Sequence, residues 1–324
     1  MNIQLLRKAT GILVIIVIIS FSINGQTRSD VIKVYNEGAK ATKTDVNASI
    51  AAFENVVDMA TKIGETCNDL KDKAMQILPG LYVRVASNAA SEKKPAAEII
   101  KASKIALAMA DKYSSSASKD NAGKLLVQGY YIMGNEFFTA KDYDNALLAF
   151  DSLLSVNPEY SAALFNKALV YRSQNNITAF EETIDSFIEK VKADNEAEKV
   201  GQASQLALEY FRATGSQANQ AENLEEALTM LNKASKYGED KDLYYYFADV
   251  YNKQKNFDKG IESAQKGLEL ETGDAEAKAK FYYQLAVAQA GKGQTAEACA
   301  SFKNSLYGAF EEASKAQRKN LKCQ

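Results

Sequence analysis

From Gly129 to Pro158 the chain reads GYYIMGNEFFTAKDYDNALLAFDSLLSVNP, and its apolar residues fall on helical faces rather than on alternating positions. Tyr130, Met133, Gly134 and Phe137 stand at i, i+3, i+4 and i+7, one face of an α-helix. Lys141, Asp142 and Tyr143 make a turn. Ala146, Phe150, Leu153 and Leu154 give the facing stripe of a second helix, and Pro158 ends it. The pattern predicts a helix-turn-helix hairpin.

The pattern recurs along the chain. Tyr244, Phe247, Ala248 and Tyr251 precede Gly260, Ala264 and Gly267; Tyr282, Leu285 and Ala286 precede Ala298, Phe302 and Leu306. Leu164, Ala168 and Tyr171 open another unit, whose second helix carries Ala179 or Phe180 at the small position. Ala207 and Tyr210 pair with Ala227, Leu231 and Ala234 across a turn expanded by the Gly/Gln/Asn/Ser-rich insertion Thr214 to Asn223, read as a passive loop in preference to a binding element. Upstream the pattern weakens. Tyr35 and Gly38 with Ile50, Phe53 and Val57 form a first unit; Leu78, Tyr82 and Ala86 with Ala97 and Ile100 to Ala108 form a second. Tyr113 to Lys124, with three consecutive serines, reads as a linker. Ala309 to Leu321 reads as one charged helix, the kind of cap that keeps a repeat array soluble. The sum is about seven hairpins, repeated nearly in phase.

The hairpin at 129–158 resembles the tetratricopeptide repeat, a helix-turn-helix of 34 residues. Tyr130, Met133, Gly134, Phe137, Ala146, Phe150 and Pro158 match the family's positions; Leu153 departs, being large where alanine is preferred. Ala248, Tyr251, Ala286 and Ala298 hold corresponding positions downstream. The small residues have a physical reason: at a helix crossing they let two backbones approach closely. The resemblance implies an all-α fold, a right-handed α-solenoid of stacked repeats. It is specific only from about residue 125, so we expect divergent helical repeats over 26–122, tetratricopeptide repeats over 123–308 and a capping helix over 309–324.

It also implies that the first helix of each hairpin lines a concave groove for an extended peptide or a partner helix. Counted from the matched positions, the groove residues are Tyr131, Asn135 and Phe138; then Phe165, Asn166, Leu169 and Arg172; then Phe211 and Arg212; then Tyr245, Asp249 and Asn252; then Tyr283 and Val287. Asparagine can donate to and accept from a peptide backbone, and tyrosine offers contact area with one polar handle. The alternative is that Tyr131, Tyr245 and Tyr283 pack against the adjoining hairpin. Family members that grip a terminal carboxylate use two asparagines with three cations. Asn135 and Asn166 stand at the asparagine positions, but Tyr131, Gly201 and Gln205 stand at the cation positions, so no such grip is expected.

Composition narrows the chemistry. The 324 residues are 46% hydrophobic and 25% charged, which excludes general disorder. Histidine is absent, removing Ser-His-Asp triads and histidine-ligated metal, and no cofactor or metal is expected. The pairs Glu181/Glu182, Glu225/Glu226 and Glu311/Glu312 are adjacent in sequence and do not face each other on a helix. Gly291-Lys292-Gly293 is a repeat turn, not a phosphate loop. The expectation is no enzyme. With 39 basic and 41 acidic residues the net charge is −2, which argues against nucleic acid. Tryptophan is absent, which disfavours the alternative reading, a glycan- or small-ligand-binding protein. Of three cysteines, Cys67 reads as a buried helix residue. Cys299 and Cys323 lie on the last two helices, where they either form a staple or never meet.

Arg7 and Lys8 precede an apolar run from Gly11 to Ile23, the layout of a secretory signal cleaved after Gly25. The run is short for a membrane span; retention as an uncleaved anchor and a buried N-terminal helix are the alternatives. The expected location is periplasmic or secreted, with membrane contact only through an uncleaved segment. The expected role is a scaffold binding a protein or peptide partner, in cell-envelope assembly or organisation.

Overall fold

The computed structural model describes residues 26–324. The expected export segment, residues 1–25, lies outside the described residues. Among the latter there are fifteen α-helices, two short 3-10 turns and no strand. The protein is all-α, built of helical hairpins. The chain forms two compact units, which divide between Tyr130 and Tyr131.

The first unit holds α1 (Arg28–Ala41), α2 (Val46–Ile63), α3 (Asn68–Ser91), α4 (Ala96–Lys112) and the start of α5 (Ser116–Thr139). Its core gathers Val31, Phe53, Val56, Ala60, Ala74 and Leu78. Cys67 is buried with a free thiol, on the 3-10 turn Glu65–Cys67 rather than on a helix proper. The stretch Tyr113 to Lys124 is not a linker: only Tyr113 to Ser115 leave the helix, and α5 begins at Ser116. Its serines suggested a loop, but Ala122, Leu126 and Val127 are buried and carry the segment as helix.

The second unit completes α5 and adds α6 (Tyr143–Val156), α7 (Ser161–Ser173), α8 (Ile177–Ala193), α9 (Ala197–Gln220), α10 (Leu224–Ser235), α11 (Lys241–Lys253), α12 (Phe257–Leu270), α13 (Ala275–Gly291), α14 (Thr295–Asn304) and α15 (Glu311–Asn320). Its largest core cluster runs through Phe180, Ile184, Phe187, Phe211, Leu231 and Leu243.

Each hairpin of this unit closes through the same three-residue turn. The middle residue has a left-handed backbone: φ is 60° at Lys141, 55° at Asn175, 61° at Glu222, 59° at Lys255 and 79° at Gly293. The next amide then reaches back to satisfy a carbonyl of the finished helix, as in Asp142 N to Phe137 O at 2.9 Å and Asn256 N to Tyr251 O at 2.8 Å. The residue that donates this bond starts the second helix, and at Asp142 and Asn176 its side chain also accepts from a first-turn amide. A five-fold repeat of one turn fixes the geometry of five hairpins.

Where the helices cross, glycine is required by space. A Cβ on Gly134 would lie 2.5 Å from the Phe150 ring, and one on Gly215 would lie 2.9 Å from Leu231. The second contact corrects the register expected for α9. Gly215, not Ala207, faces Ala227 and Leu231, and Thr214 to Gln220 are the last two turns of α9 instead of an inserted loop. Composition misled here because Gly, Ser, Gln and Asn usually mark turns. In this segment Gly215 and Ser216 are small enough to cross α10, and Asn219 is buried.

Ion pairs tie hairpin to hairpin. Lys233 of α10 and Lys236 just beyond it both engage Glu181 of α8, the latter at 2.9 Å, and the Tyr237 hydroxyl donates to Asp185 at 2.7 Å. Burial pushes the Glu181 pKa up, but the two ammoniums outweigh it and the net shift is downward. Glu271, almost fully buried, pairs with Lys241 at 2.8 Å and accepts from the Gly273 amide at 2.8 Å. The Lys241 hydrogen bond is the main reason that its pKa is lowered. At the C-terminus Cys299 of α14 and Cys323 form a disulfide, with Cα atoms 5.5 Å apart.

Three outcomes follow from this packing and its ion pairs. Gly215→Ala or Ala248→Leu overpacks a crossing and costs about 1–3 kcal/mol, read as a lower melting temperature. Gly201→Ala in the same α9, where a Cβ meets nothing, raises stability instead by about 0.5–1 kcal/mol. A carboxylate with a depressed folded pKa contributes stability that is present above its unfolded pKa and lost as pH falls through the folded one. Wild type should therefore lose more stability between about pH 5 and about pH 3 than Glu181→Gln or Glu271→Gln, measured by urea titration at each pH.

Candidate functional site: the first-helix face of the second unit

The first helices of the second unit are α5 from Tyr131 onward, α7, α9, α11 and α13. Their outward amides bond to one another across hairpins. Asn166 Nδ2 of α7 donates to Asn135 Oδ1 of α5 at 2.9 Å, while Asn135 Nδ2 donates to the Tyr131 carbonyl at 2.8 Å. Further along, Asp249 of α11 accepts from Asn219 Nδ2 of α9 at 2.6 Å and from Gln284 Nε2 of α13 at 2.9 Å. Lys253 Nζ reaches Asn219 Oδ1 at 3.0 Å and the Asn219 carbonyl at 3.2 Å. Asn252 Nδ2 donates to Gln284 Oε1 and to the Gln284 carbonyl, both at 2.9 Å. A polar ladder thus crosses α9, α11 and α13, with Asn219, Asn252 and Gln284 buried and Asp249 half-buried, at a depth where each hydrogen bond is stronger than in water.

Aromatic rings flank the ladder. Tyr131 stands edge-on to Tyr160 at 5.7 Å, Phe165 lies against Phe187 at 5.1 Å, and Phe138 lies 6.1 Å from Tyr143. Tyr245 contacts Tyr246 at 5.3 Å and Phe281 at 6.3 Å. Tyr283 sits between Phe302 and Phe310, at 5.7 and 5.3 Å. Burial, with the Asp249 charge adding to it, raises the pKa of both Tyr245 and Tyr283, so the hydroxyls stay protonated donors.

Most of the expected groove residues occupy this face. Tyr131, Asn135, Phe138, Phe165, Asn166, Leu169, Arg172, Arg212, Tyr245, Asp249, Tyr283 and Val287 are all half-buried. Their rings also pack on neighbouring hairpins, so contact with the adjoining repeat and partial exposure coexist. Two residues stand elsewhere. Phe211 is fully buried in the main core, stacked on Tyr237, because the register of α9 is displaced as described. Asn252 is buried, held down by Gln284, and presents no free edge. Arg212 is paired with Asp240. The displaced register moves the positions assigned to Gly201 and Gln205 along to Glu209 and Ala213, and neither is a cation.

Among the repeat positions, Ala146, Phe150, Ala248, Ala286 and Ala298 are buried in the hairpin interiors. Tyr251 is half-buried and stacks on Phe247 at 6.0 Å. Pro158 follows the end of α6, and Tyr130 belongs to the first unit, with Lys104 5.6 Å above its ring. Sequence reasoning missed Asn219, Lys253 and Gln284. Gln284 and Lys253 each stand beside a chosen residue, and a polar side chain inside an otherwise apolar stripe was the available signal. Asn219 was hidden by the misplaced loop.

The open furrow of about 610 Å³ lined by Tyr244, Phe247, Tyr251, Lys259, Glu262 and Lys266 shares no residue with the ladder. Among the described residues no group of three or more Cys, Asp or Glu is placed to hold a metal ion, and no helix is long and apolar enough to cross a membrane.

Residues 131–195 match the tetratricopeptide repeat family. No curated protein matches the chain. Similar solved structures include the MamA protein, at 21% identity and a TM-score of 0.35, covering 60% of this chain and 94% of that one. YrrB, described as a tetratricopeptide repeat protein with an unusual peptide-binding site, is 16% identical with a TM-score of 0.35, covering 59% and 91%. A tetratricopeptide repeat protein from Parabacteroides merdae ATCC 43184 is 18% identical with a TM-score of 0.29, covering 90% and 98%.

Asp249 is the hub of the ladder. Asp249→Ala strands the Asn219 and Gln284 donors and should cost about 1–3 kcal/mol in urea unfolding, whereas Asp249→Asn, which keeps one acceptor, should cost less than half as much.

Proposed function

We propose that this chain is a non-catalytic, exported scaffold that binds a protein or peptide partner along the first-helix face of its second unit, in cell-envelope assembly or organisation. The observation that carries the reading is the polar ladder flanked by half-buried tyrosines. Two half-buried amides on the same face, outside the ladder, keep unused capacity: Asn166 retains its carbonyl oxygen and a second N–H, and Asn135 a second N–H. Groups of that kind, held rigid by their neighbours, suit the backbone of an extended chain, whose own amides need partners when it leaves water. Tyr131, Tyr245 and Tyr283 supply contact area with little rotamer entropy to lose. The match of residues 131–195 to a family of helical repeats supports the same reading.

Two features support export. The apolar run after Arg7 and Lys8 has the layout of a secretory signal. Independently, the Cys299–Cys323 disulfide suits an oxidising compartment.

The test pairs capture with localisation. A tagged chain is expressed in its own cells, and bound proteins are recovered after gentle cross-linking. One dominant partner should be recovered, and Asn135→Ala with Tyr245→Ala should lower its yield at least about tenfold without changing helix content. A membrane-impermeant label added to intact, outer-permeabilised cells should modify the chain. Equal recovery by the variant, or protection from the label with cytosolic controls, would overturn the corresponding half of the reading. Calorimetric binding of cell-wall glycan fragments with no protein partner would replace it with the ligand-binding alternative.

A further inference from the structure

The last helix, α15, is a poor match for the surface that it covers. Its sequence, EEASKAQRKN, contributes only Ser314 to the buried interior. Apolar attachment comes from just two residues outside the helix: Phe310, which packs on Tyr283 at 5.3 Å, and Leu321, which packs on the cluster of Ala286, Ala298 and Phe302. The remaining contacts are polar. The Ser305 and Ser314 hydroxyls share a hydrogen bond of 2.7 Å, and Arg318 Nη1 donates to the Cys299 carbonyl at 2.6 Å. Beside Phe310, at the start of the cap, lies the half-buried ring of Tyr283. A short, charged helix with two apolar anchors does not hold such a site strongly by packing alone. What completes the attachment is covalent: Cys323, just beyond α15, is bonded to Cys299 in α14.

We propose that the Cys299–Cys323 disulfide is a redox latch, and that its reduction undocks α15 and releases Phe310 from Tyr283. Both cysteines are half-buried, so a reductant can reach the bond. The reaction is ordinary thiol–disulfide exchange with a dithiol. One thiolate of the dithiol attacks Sγ of Cys323, and Cys299 leaves as a thiolate that takes up a proton. The second thiol of the dithiol then displaces Cys323 and closes the dithiol into its own disulfide. Two electrons and two protons pass to the protein. Because Tyr283 borders the polar ladder through Gln284 and Asp249, the undocked state loosens the last aromatic of the face. Any effect on partner binding rests on the docking face proposed above; the latch itself does not.

The experiment uses the full chain and needs no partner. Amide hydrogen exchange is followed by mass spectrometry with and without dithiothreitol, and alkylation counts the free thiols. Without reductant, one cysteine, the buried Cys67, should be free after denaturation. With dithiothreitol, exchange across residues 305–324 should accelerate about a hundredfold while α11 to α13 stay protected. Cys323→Ser should show the fast pattern without reductant, which separates loss of the bond from side effects of the reagent. Unchanged exchange over 305–324 on reduction would overturn the proposal, since packing would then suffice. So would loss of protection throughout the second unit, which would make the bond a global staple, and so would three free thiols in the untreated chain.

Discussion

The close crossing of two helices at a residue without a side chain, or with a single methyl group, is the constraint on which the second unit depends. Gly134 admits the Phe150 ring, Gly215 admits Leu231, and Gly267 admits Phe281, each at a separation that a Cβ would violate. Such contacts are short-range and steep, so they set the distance between helices to within a fraction of an ångström. With the three-residue turn and its left-handed middle residue, they make each hairpin a nearly rigid copy of the last. The half-buried first-helix face is a consequence: once the crossings fix the helices, residues on the free edge of each first helix fall beside those of the next.

That regularity explains why polar side chains can meet across hairpins. Asn135 and Asn166 are held at 2.9 Å because α5 and α7 are, and the same is true of Asn219, Asp249 and Gln284 on α9, α11 and α13. Ion pairs between second helices, such as Glu181 with Lys233 and Lys236, reinforce the arrangement from α8 to α10. The amides are therefore preorganised, and ordering entropy that a flexible loop would lose on binding has been lost in folding.

Much of this was legible in the chain itself. Tyr130 to Phe137 and Ala146 to Leu154 carry the helical period plainly, and the same spacing locates α11 with α12 and α13 with α14. Even the weak upstream pattern of Tyr35, Gly38 and Phe53 falls on α1 and α2. The failures share one cause. Tyr113 to Lys124 and Thr214 to Asn223 are rich in residues that favour turns when exposed, yet Ser116 to Lys124 and Thr214 to Gln220 are helical because neighbouring residues are buried and because Gly215 and Ser216 are small enough to cross another helix. Misreading the second segment moved the register of α9, placed Phe211 on the open face and hid Asn219. Side-chain partnership across hairpins leaves no trace in a periodic pattern, which is why Lys253 and Gln284 escaped notice.

The central claim is that the ladder face, and not another surface of the second unit, receives a partner. Site-specific photo-cross-linking tests it most directly. A photoreactive phenylalanine analogue is placed at position 245 on the face, or at position 266 in the separate furrow, and cells are irradiated. The account predicts a discrete adduct with one protein from position 245 and none from position 266. Adducts from the furrow with a silent ladder face would contradict it.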